Sequence, residues 1–417
     1  MRLRKLGKIL LYCAAGLLGL VLMLLLAVKL ALDRVPEYQD EIKAWAYQQT
    51  GLHIRFTHVA PRLRWSGPEL YFDQLELRSK DDQRVLARAA GGRIGTDIWQ
   101  LVRSGKLLAG RVELDSPDIA ITRLGPNSFA LASELELREN GTPGSTLTMD
   151  DLPAGNLIVR NGRLVVEHWN ASLPELILDQ VNFALRREGN RATLDLGARL
   201  PPSLGGALNL NWSAEGLGDL DSLAWSVDLR PTDVEFPGWR LLLPEYLSNL
   251  SAGKGAFRLT ASGQGYNLSR AYLDFAAHGV VTHLGDRSET KFDEISGIMT
   301  LTHDADRWSL LGRNLSALRG GIEDPVAQFD VSWRAAAAGL LELHAGANYL
   351  RAETLLPLTG LLPQKDLRER LAEVAPSGVW TDAHLDLQRT QVDDPWQMLV
   401  EAKFRDFGFA PVGRAPG

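Results

Sequence analysis

Eight histidines and 51 acidic residues are raw material for a metal centre or for general acid–base chemistry, so their spacing decides the matter. His53/His58 and His278/His283 are each five residues apart. On a strand an odd spacing puts side chains on opposite faces, so neither pair can share an ion. Asp150-Asp151 and Asp393-Asp394 pair carboxylates, but each pair adjoins a proline, Pro153 or Pro395, and reads as a solvated loop. The chain has no HExxH, CxxC or acidic calcium loop, no GxSxG elbow, no Walker loop and no GxGxxG opening a helix after a strand. Gly253-Lys254-Gly255 and Gly263-Gln264-Gly265 read as turn glycines at strand ends. The expectation is a protein with no catalytic residue, no cofactor and no metal. A hydrolase would need a triad assembled from distant residues.

The elements that carry these residues begin with an uncharged, proline-free run from Ile9 to Val28. At ~1.5 Å per residue this run matches a hydrocarbon core of ~30 Å. Arg2, Arg4, Lys5 and Lys8 precede it and no acid appears before Asp33. The positive-inside rule then keeps the N-terminus cytoplasmic. The run is longer than a signal-peptide core, and Lys29 and Leu30 stand where cleavage needs small residues. An uncleaved single-pass anchor is expected, with Ile9, Leu10, Leu17, Leu18, Leu22, Leu25, Leu26 and Val28 facing lipid.

Charge and cysteine narrow the function classes. The chain has a net charge of −6; without the five cations of residues 1–29, 40 basic residues face 51 acidic ones, about −11. A nucleic-acid partner needs a basic stripe and is excluded on that ground, as is docking of the whole body on anionic lipid. The only cysteine, Cys13, lies in the apolar run, so the rest of the chain forms no disulfide.

After the anchor, Asp33 to Gly51 reads as one short helix, with Pro36 in its first turn and Ile42, Trp45, Ala46 and Gln49 at helical spacing. From Leu52 to Arg123 the period is two, as in Ile54/Phe56, Val112/Leu114 and Ile119/Ile121. Breaks are expected at Pro61, Gly67, Gly91, Gly92 and Pro117, and a short helix over Thr96–Ser104. Gly125 to Pro153 is weakly patterned. Beyond it, Leu157/Val159 and Leu164/Val166 flank Asn161-Gly162, which reads as a hairpin turn. Leu176/Leu178, Val181/Phe183/Leu185, Leu194/Leu196, Leu208/Leu210/Trp212, Leu223/Trp225/Val227/Leu229, Phe257/Leu259/Ala261 and later pairs up to Leu341/Leu343 continue the alternation. Their intervening neighbours, such as Thr193, Asp195 and Arg199, are polar. An order of apolar segment, proline, short helix and strand occurs at 237–265 and again at 355–387.

Four parts are expected: a basic tail at 1–8, the anchor at 9–32, a membrane-proximal helix and β segment at 33–140, and a repetitive β part at 141–417. No terminal capping unit is evident, so this reads as the first part of a longer protein. The fold class is mainly β: an elongated antiparallel sheet with one apolar face, curved into an open groove. Leu157, Val159, Leu164, Val166, Leu194, Leu196, Leu208, Leu210, Trp225, Val227, Phe257 and Leu259 are the residues expected to line it. Two packed sheets would bury the same faces, so both arrangements stand at this level.

Several stretches resemble AsmA-like proteins, and within them the YhdP branch. They are Ile42-Lys43-Ala44-Trp45 with Gln48-Gln49-Thr50-Gly51-Leu52, Arg64-Trp65-Ser66-Gly67-Pro68-Glu69-Leu70, and the segment from Asp97-Ile98-Trp99-Gln100 to Lys106. The C-terminal Phe409-Ala410-Pro411-Val412-Gly413-Arg414-Ala415-Pro416-Gly417 is similar to a segment of YhdP-type chains. The resemblance implies a bacterial inner-membrane anchor, a periplasmic body, and a long β-groove carrying phospholipid towards the outer membrane. It implies membrane phospholipids as cargo and a possible outer-membrane or periplasmic protein partner, and it supplies no catalytic residues. The alternative is a scaffold for outer-membrane protein assembly, acting by strand addition at open sheet edges.

Overall fold

The computed structural model describes residues 39–50, 53–64, 67–78, 85–96, 109–125, 128–131, 155–170, 175–219, 221–283, 289–336, 339–352, 369, 373–374, 376–389, 394–395 and 397–409. The chain is mainly β with few helices, and divides into two units, Met1–Val165 and Val166–Gly417. The apolar run Ile9–Val28 with its anchor residues, the Thr96–Ser104 stretch beyond Thr96 (which ends a strand) and nearly all of the second repeat before Ser377 lie outside the described residues. Among the described residues no helix is long and apolar enough to cross a membrane.

The first unit opens with α1 (Gln39–Thr50), where Asp40 and Glu41 complement the positive end of the helix. Tyr47 stacks on His53 with centroids 4.5 Å apart, and Lys43 Nζ lies 5.1 Å from the centre of the Phe56 ring. These contacts tie α1 to the start of the sheet. The strands are β1 (His53–Arg55), β2 (His58–Arg64), β3 (Gly67–Arg78), β4 (Val85–Thr96), β5 (Ala109–Asp115), β6 (Asp118–Gly125), β7 (Ser128–Leu131) and β8 (Gly155–Glu167); the unit boundary falls within β8. Phe56, Val59 and Phe72 form a buried cluster with Ile54, Leu70 and Leu75 around them.

Pro61, Gly91 and Gly92 do not break strands. Pro61 sits inside β2 opposite Leu70. Among the described residues β2 bonds to β3 alone, so a residue without an N–H leaves no second ladder short of a donor. Gly91 and Gly92 sit inside β4, paired with Asp73 and Phe72 on one side and with Asp115 and Leu114 on the other. Ladder bonds on both sides override the weak strand preference of glycine.

Asn161-Gly162 is not a hairpin turn either. β8 continues through it and, before it, lies parallel to β5, with Val112 opposite Leu157 and Leu114 opposite Val159. Asn161 adopts φ 49°, a left-handed conformation that asparagine tolerates. The backbone stays bonded on either side: Ser116 N donates to Arg160 O at 2.8 Å and Arg163 N to Pro117 O at 2.7 Å. A Cβ on Gly162 would stand 2.9 Å from Val159 Cγ1 and 3.1 Å from Pro117 Cγ. The dipeptide therefore bends β8 around the β5–β6 corner. A single left-handed residue serves a bend within a strand as well as a hairpin, and the partner strand decides which.

The second unit contains β9 (Glu175–Glu188), β10 (Arg191–Arg199), β11 (Ala207–Glu215), β12 (Ala224–Pro231), β13 (Val234–Glu235), β14 (Leu250–Gln264), β15 (Asn267–Thr282), β16 (Thr290–Asp304), β17 (Arg307–Arg319), β18 (Ile322–Glu323), β19 (Ala327–Ala336), β20 (Gly339–Arg351), β21 (Ser377–Gln388) and β22 (Gln397–Gly408). All pairings from β9 to β22 are antiparallel; β13 and β18 are two-residue pieces on β14 and β17. Gly253-Lys254-Gly255 lies inside β14, among register shifts, and is no strand end. Gly265 is a turn glycine, with φ 57°.

Two short helices, α2 (Phe236–Leu242) and α3 (Pro244–Leu247), fill the connection between β13 and β14. Pro237 and Pro244 stand at their first turns, where no N–H is needed. Trp239 Nε1 donates to Leu204 O at 2.7 Å and Trp169 Nε1 to Leu242 O at 3.3 Å. Phe236 and Leu247 cover a buried cluster of Leu250, Ala277, Val280, Phe292, Ile295 and Ala317.

Candidate functional site

Directly opposed residues in an antiparallel ladder share a face, so the register traces each face across the second unit. One row runs Leu185, Leu194, Trp212, Val227, Ala261, Ala271, Leu301, Leu310, Val331, Ala345, Leu385, Val400, one residue from each of twelve strands. The neighbouring row runs Phe183, Leu196, Leu210, Leu229, Leu259, Leu273, Met299, Gly312, Phe329, Ala347, Ala383. Every member of both rows is apolar. At ~4.8 Å per strand the first row extends about 50 Å along the ladder.

The opposite face is polar over the same span. Thr193, Ser213, Ser226, Ser262, Arg270, Thr302, Ser309, Ser332, His344 and Asp386 follow one another in register. Ion pairs tie its strands together. Asp228 accepts from Arg230 at 2.6 Å and from Arg258 at 2.8 Å, and these bonds hold its carboxyl down at about 2. Glu342 bridges Arg334 at 2.5 Å and Arg307 at 3.0 Å, and its carboxyl is lowered chiefly by the bond from Arg334.

Exposure distinguishes the two arrangements left open by the sequence. In a sandwich the inner face of each sheet is buried against the other. Here ten of the twelve residues of the first row are half-buried, and Val400 is 50% exposed. The apolar face is thus open over most of its length. It is closed along one margin, where α2 and α3 lie over the Leu250–Phe292–Ala317 cluster. The other margin is aromatic: Trp308 stacks on Trp333 with centroids 6.0 Å apart and on His303 at 4.1 Å.

Of the twelve residues singled out from the sequence, Leu194, Leu196, Leu208, Leu210, Trp225, Val227, Phe257 and Leu259 fall on this one face and are half-buried. Leu157, Val159 and Leu164 belong to the first unit, where the first two face the same side as Val112 and Leu114. Val166, in the second unit, is 4% exposed and is a core residue. Leu273, Met299, Leu310 and Val331 lie in strands that the alternation also marks, but only the registers place them, with Leu385, on the same face as Leu194. The left-handed Asn314 then shifts the apolar positions of β17 from Leu310 and Gly312 to Leu315 and Ala317.

On the reverse face Ser332, His344 and Asp386 stand in register, and His344 Nδ1 hydrogen-bonds the Asp386 carboxylate. Among the described residues no group of three or more histidine, cysteine or acidic side chains could hold a metal. What the surface offers is a long strip of apolar side chains with a charged, hydrated reverse. A model of one protein family matches the sequence over its full length. The match, to the family described as YhdP protein, covers residues 1–417. The chain belongs to the YhdP family. No curated protein and no solved structure matches it.

Proposed function

We propose that this chain is a non-enzymatic lipid conduit, anchored in the bacterial inner membrane by its N-terminal run. In this reading its body lies in the periplasm and passes phospholipid towards the outer membrane along the apolar face. The observation that carries this reading is the continuous, half-exposed apolar row from Leu194 to Leu385. A soluble protein rarely leaves so long an apolar surface open unless something apolar occupies it. Membership of the YhdP family supports the same role.

The energetics favour it. Moving an acyl chain of about 16 methylenes into water costs roughly 13 kcal/mol at ~0.8 kcal/mol per CH₂. A strip that covers the tails and leaves headgroups in water removes most of that barrier. No nucleotide-binding motif is present in the sequence, so this chain supplies no driving energy by that route.

The test is site-specific photo-crosslinking in cells, with the probe at Leu194 or Leu196 and at Asp195 on the reverse face as control. Phospholipid adducts at the leucines and none at Asp195 are expected. Protein adducts without lipid at the leucines would overturn the conduit and favour an assembly factor that adds strands to its clients.

A further inference from the structure

The first unit has its own unusual surface, on the face opposite Val112, Leu114, Leu157 and Val159. Register brings Arg62 beside Glu69, Tyr71 beside Arg93, and Arg93 beside Glu113; Arg111 is two residues along β5, and Arg160 stands opposite Asp115. Glu113 is only 2% exposed. Its carboxylate accepts from Arg93, from Arg111 at 2.7 Å and from Arg160 at 2.6 Å. Arg93 also donates to Tyr71 Oη at 3.5 Å, and the Arg62 guanidinium lies over the Tyr71 ring, 4.5 Å from its centre.

One carboxylate for three guanidiniums is more cation than a structural ion pair requires. Four arginines here face two glutamates, Glu69 and Glu113, in a chain whose net charge is −6. Asp73 and Asp115 are exposed on the rim and, among the described residues, make no ion pair with the patch. Donors remain unspent. Arg160 binds Glu113 through Nε and Arg111 through Nε and Nη2, which leaves terminal N–H groups of both directed elsewhere. Glu113 acts as a buried pin that holds three guanidiniums side by side on one strand face. Guanidinium forks match phosphate oxygens, and Arg62 and Arg160 present theirs at the exposed surface with Arg111 half-buried beside them, while Arg93 is spent on Glu113 and Tyr71; a row opening outward suits phosphates at a surface better than one enclosed ion.

We propose that the patch of Arg62, Arg111 and Arg160, held by Glu113 and backed by Arg93, binds lipid-headgroup phosphates, so that the first unit rests its polar face on an anionic bilayer surface. Arg62 stands 34 residues (62 − 28) after the Ile9–Val28 run, so the first unit is the described part of the chain nearest to it in sequence, and near a membrane if that run is the anchor. It lies on the face opposite the apolar one, so a lipid tail on that other side cannot account for it. The inference goes beyond the conduit and does not require it.

The experiment titrates the full chain, in neutral maltoside detergent, with dihexanoylphosphatidylglycerol below its micellar concentration. Saturable binding is expected, about tenfold weaker in the double variant Arg111→Gln/Arg160→Gln and largely kept in Arg160→Lys. Equal binding by the double variant overturns the proposal. So does displacement of the lipid by an equal concentration of inorganic phosphate, which would make this a free-phosphate site. If the double variant does not fold, Arg62→Gln, outside the Glu113 bonds, takes its place with about a threefold weakening expected. Crosslinking at Leu194 in the same variants separates the two readings: lipid adducts there persist when only the patch is lost. Their absence in the unmodified chain would sink the conduit and leave the titration standing.

Discussion

Phe329 lies flat against Gly312, its directly opposed neighbour between β17 and β19; a Cβ on Gly312 would stand 2.3 Å from Phe329 Cε1. The glycine leaves a gap in the apolar row and the phenylalanine ring fills it, a cross-strand pairing that rigidifies an otherwise weak position. Gly312→Ala is expected to push the ring off its seat and cost roughly 1–3 kcal/mol, as overpacking does. Phe329→Ala is expected to cost roughly 3–5 kcal/mol, since the ring is buried against Met299, Leu315 and Ala327. Denaturant unfolding of both variants checks this; equal small losses would mean the pair is not packed as described.

Glu113 ties stability to pH. Burial works to raise its pKa, but hydrogen bonds from Arg93, Arg160 and Arg111 outweigh that and hold it at about 2. The folded value lies below the unfolded one, so the stabilisation is complete above about pH 4.5 and disappears as pH falls towards 2. Roughly 3 kcal/mol is expected to be lost over that window, read as a falling unfolding midpoint between pH 5 and pH 2.5. Glu113→Gln should flatten the acid limb and lower stability at pH 7 by roughly 3–5 kcal/mol, because three guanidiniums lose their counterion.

The open apolar row separates function from folding. Leu196→Asp places a charge on a half-exposed position, where the folded state loses little. A cost of about 1.5 kcal/mol or less is expected, together with loss of lipid adducts at Leu194. Ile295→Asp, at 4% exposure under α2 and α3, should instead unfold the unit. Thermal midpoints of the two variants, measured side by side, distinguish an open face from a buried one.

The bulge at Asn161 is a test of local geometry. Asn161→Val puts a β-branched residue at φ 49° and is expected to cost roughly 1–2 kcal/mol. Asn161→Gly should be close to neutral. If Asn161-Gly162 were a hairpin turn, Gly162→Leu would be tolerated at a solvated tip; at 3.1 Å from Pro117 it should destabilise the first unit markedly. Urea midpoints of the three variants give the answer.

Much of the strand content could be read directly from alternation. Leu194/Leu196, Leu208/Leu210 and Val227/Leu229 each sit where period two put them, because a half-buried strand must segregate its side chains. Reading failed where one residue type serves two geometries. Gly91 and Gly92 became the middle of β4, and Asn161-Gly162 became a bulge. In each case hydrogen bonds from a distant strand chose between locally equivalent conformations. The arginine patch went unnoticed for a related reason. Arg111 and Glu113 alternate with Val112 and Leu114 as any solvated face would, and Arg93 and Arg160 reach them only through the β4–β5 and β5–β8 ladders.

By itself the sequence determined a strand-rich chain with one apolar and one polar face and none of the standard catalytic or nucleotide-binding motifs, since side-chain alternation and the absence of a motif are local properties. Only the tertiary structure decided that twelve strands align their apolar residues into one row, that this row stays half-exposed instead of closing as a sandwich, and that one buried glutamate gathers three arginines. Register, exposure and charge clustering depend on which strands pair, and pairing is settled by contacts between residues far apart in the chain.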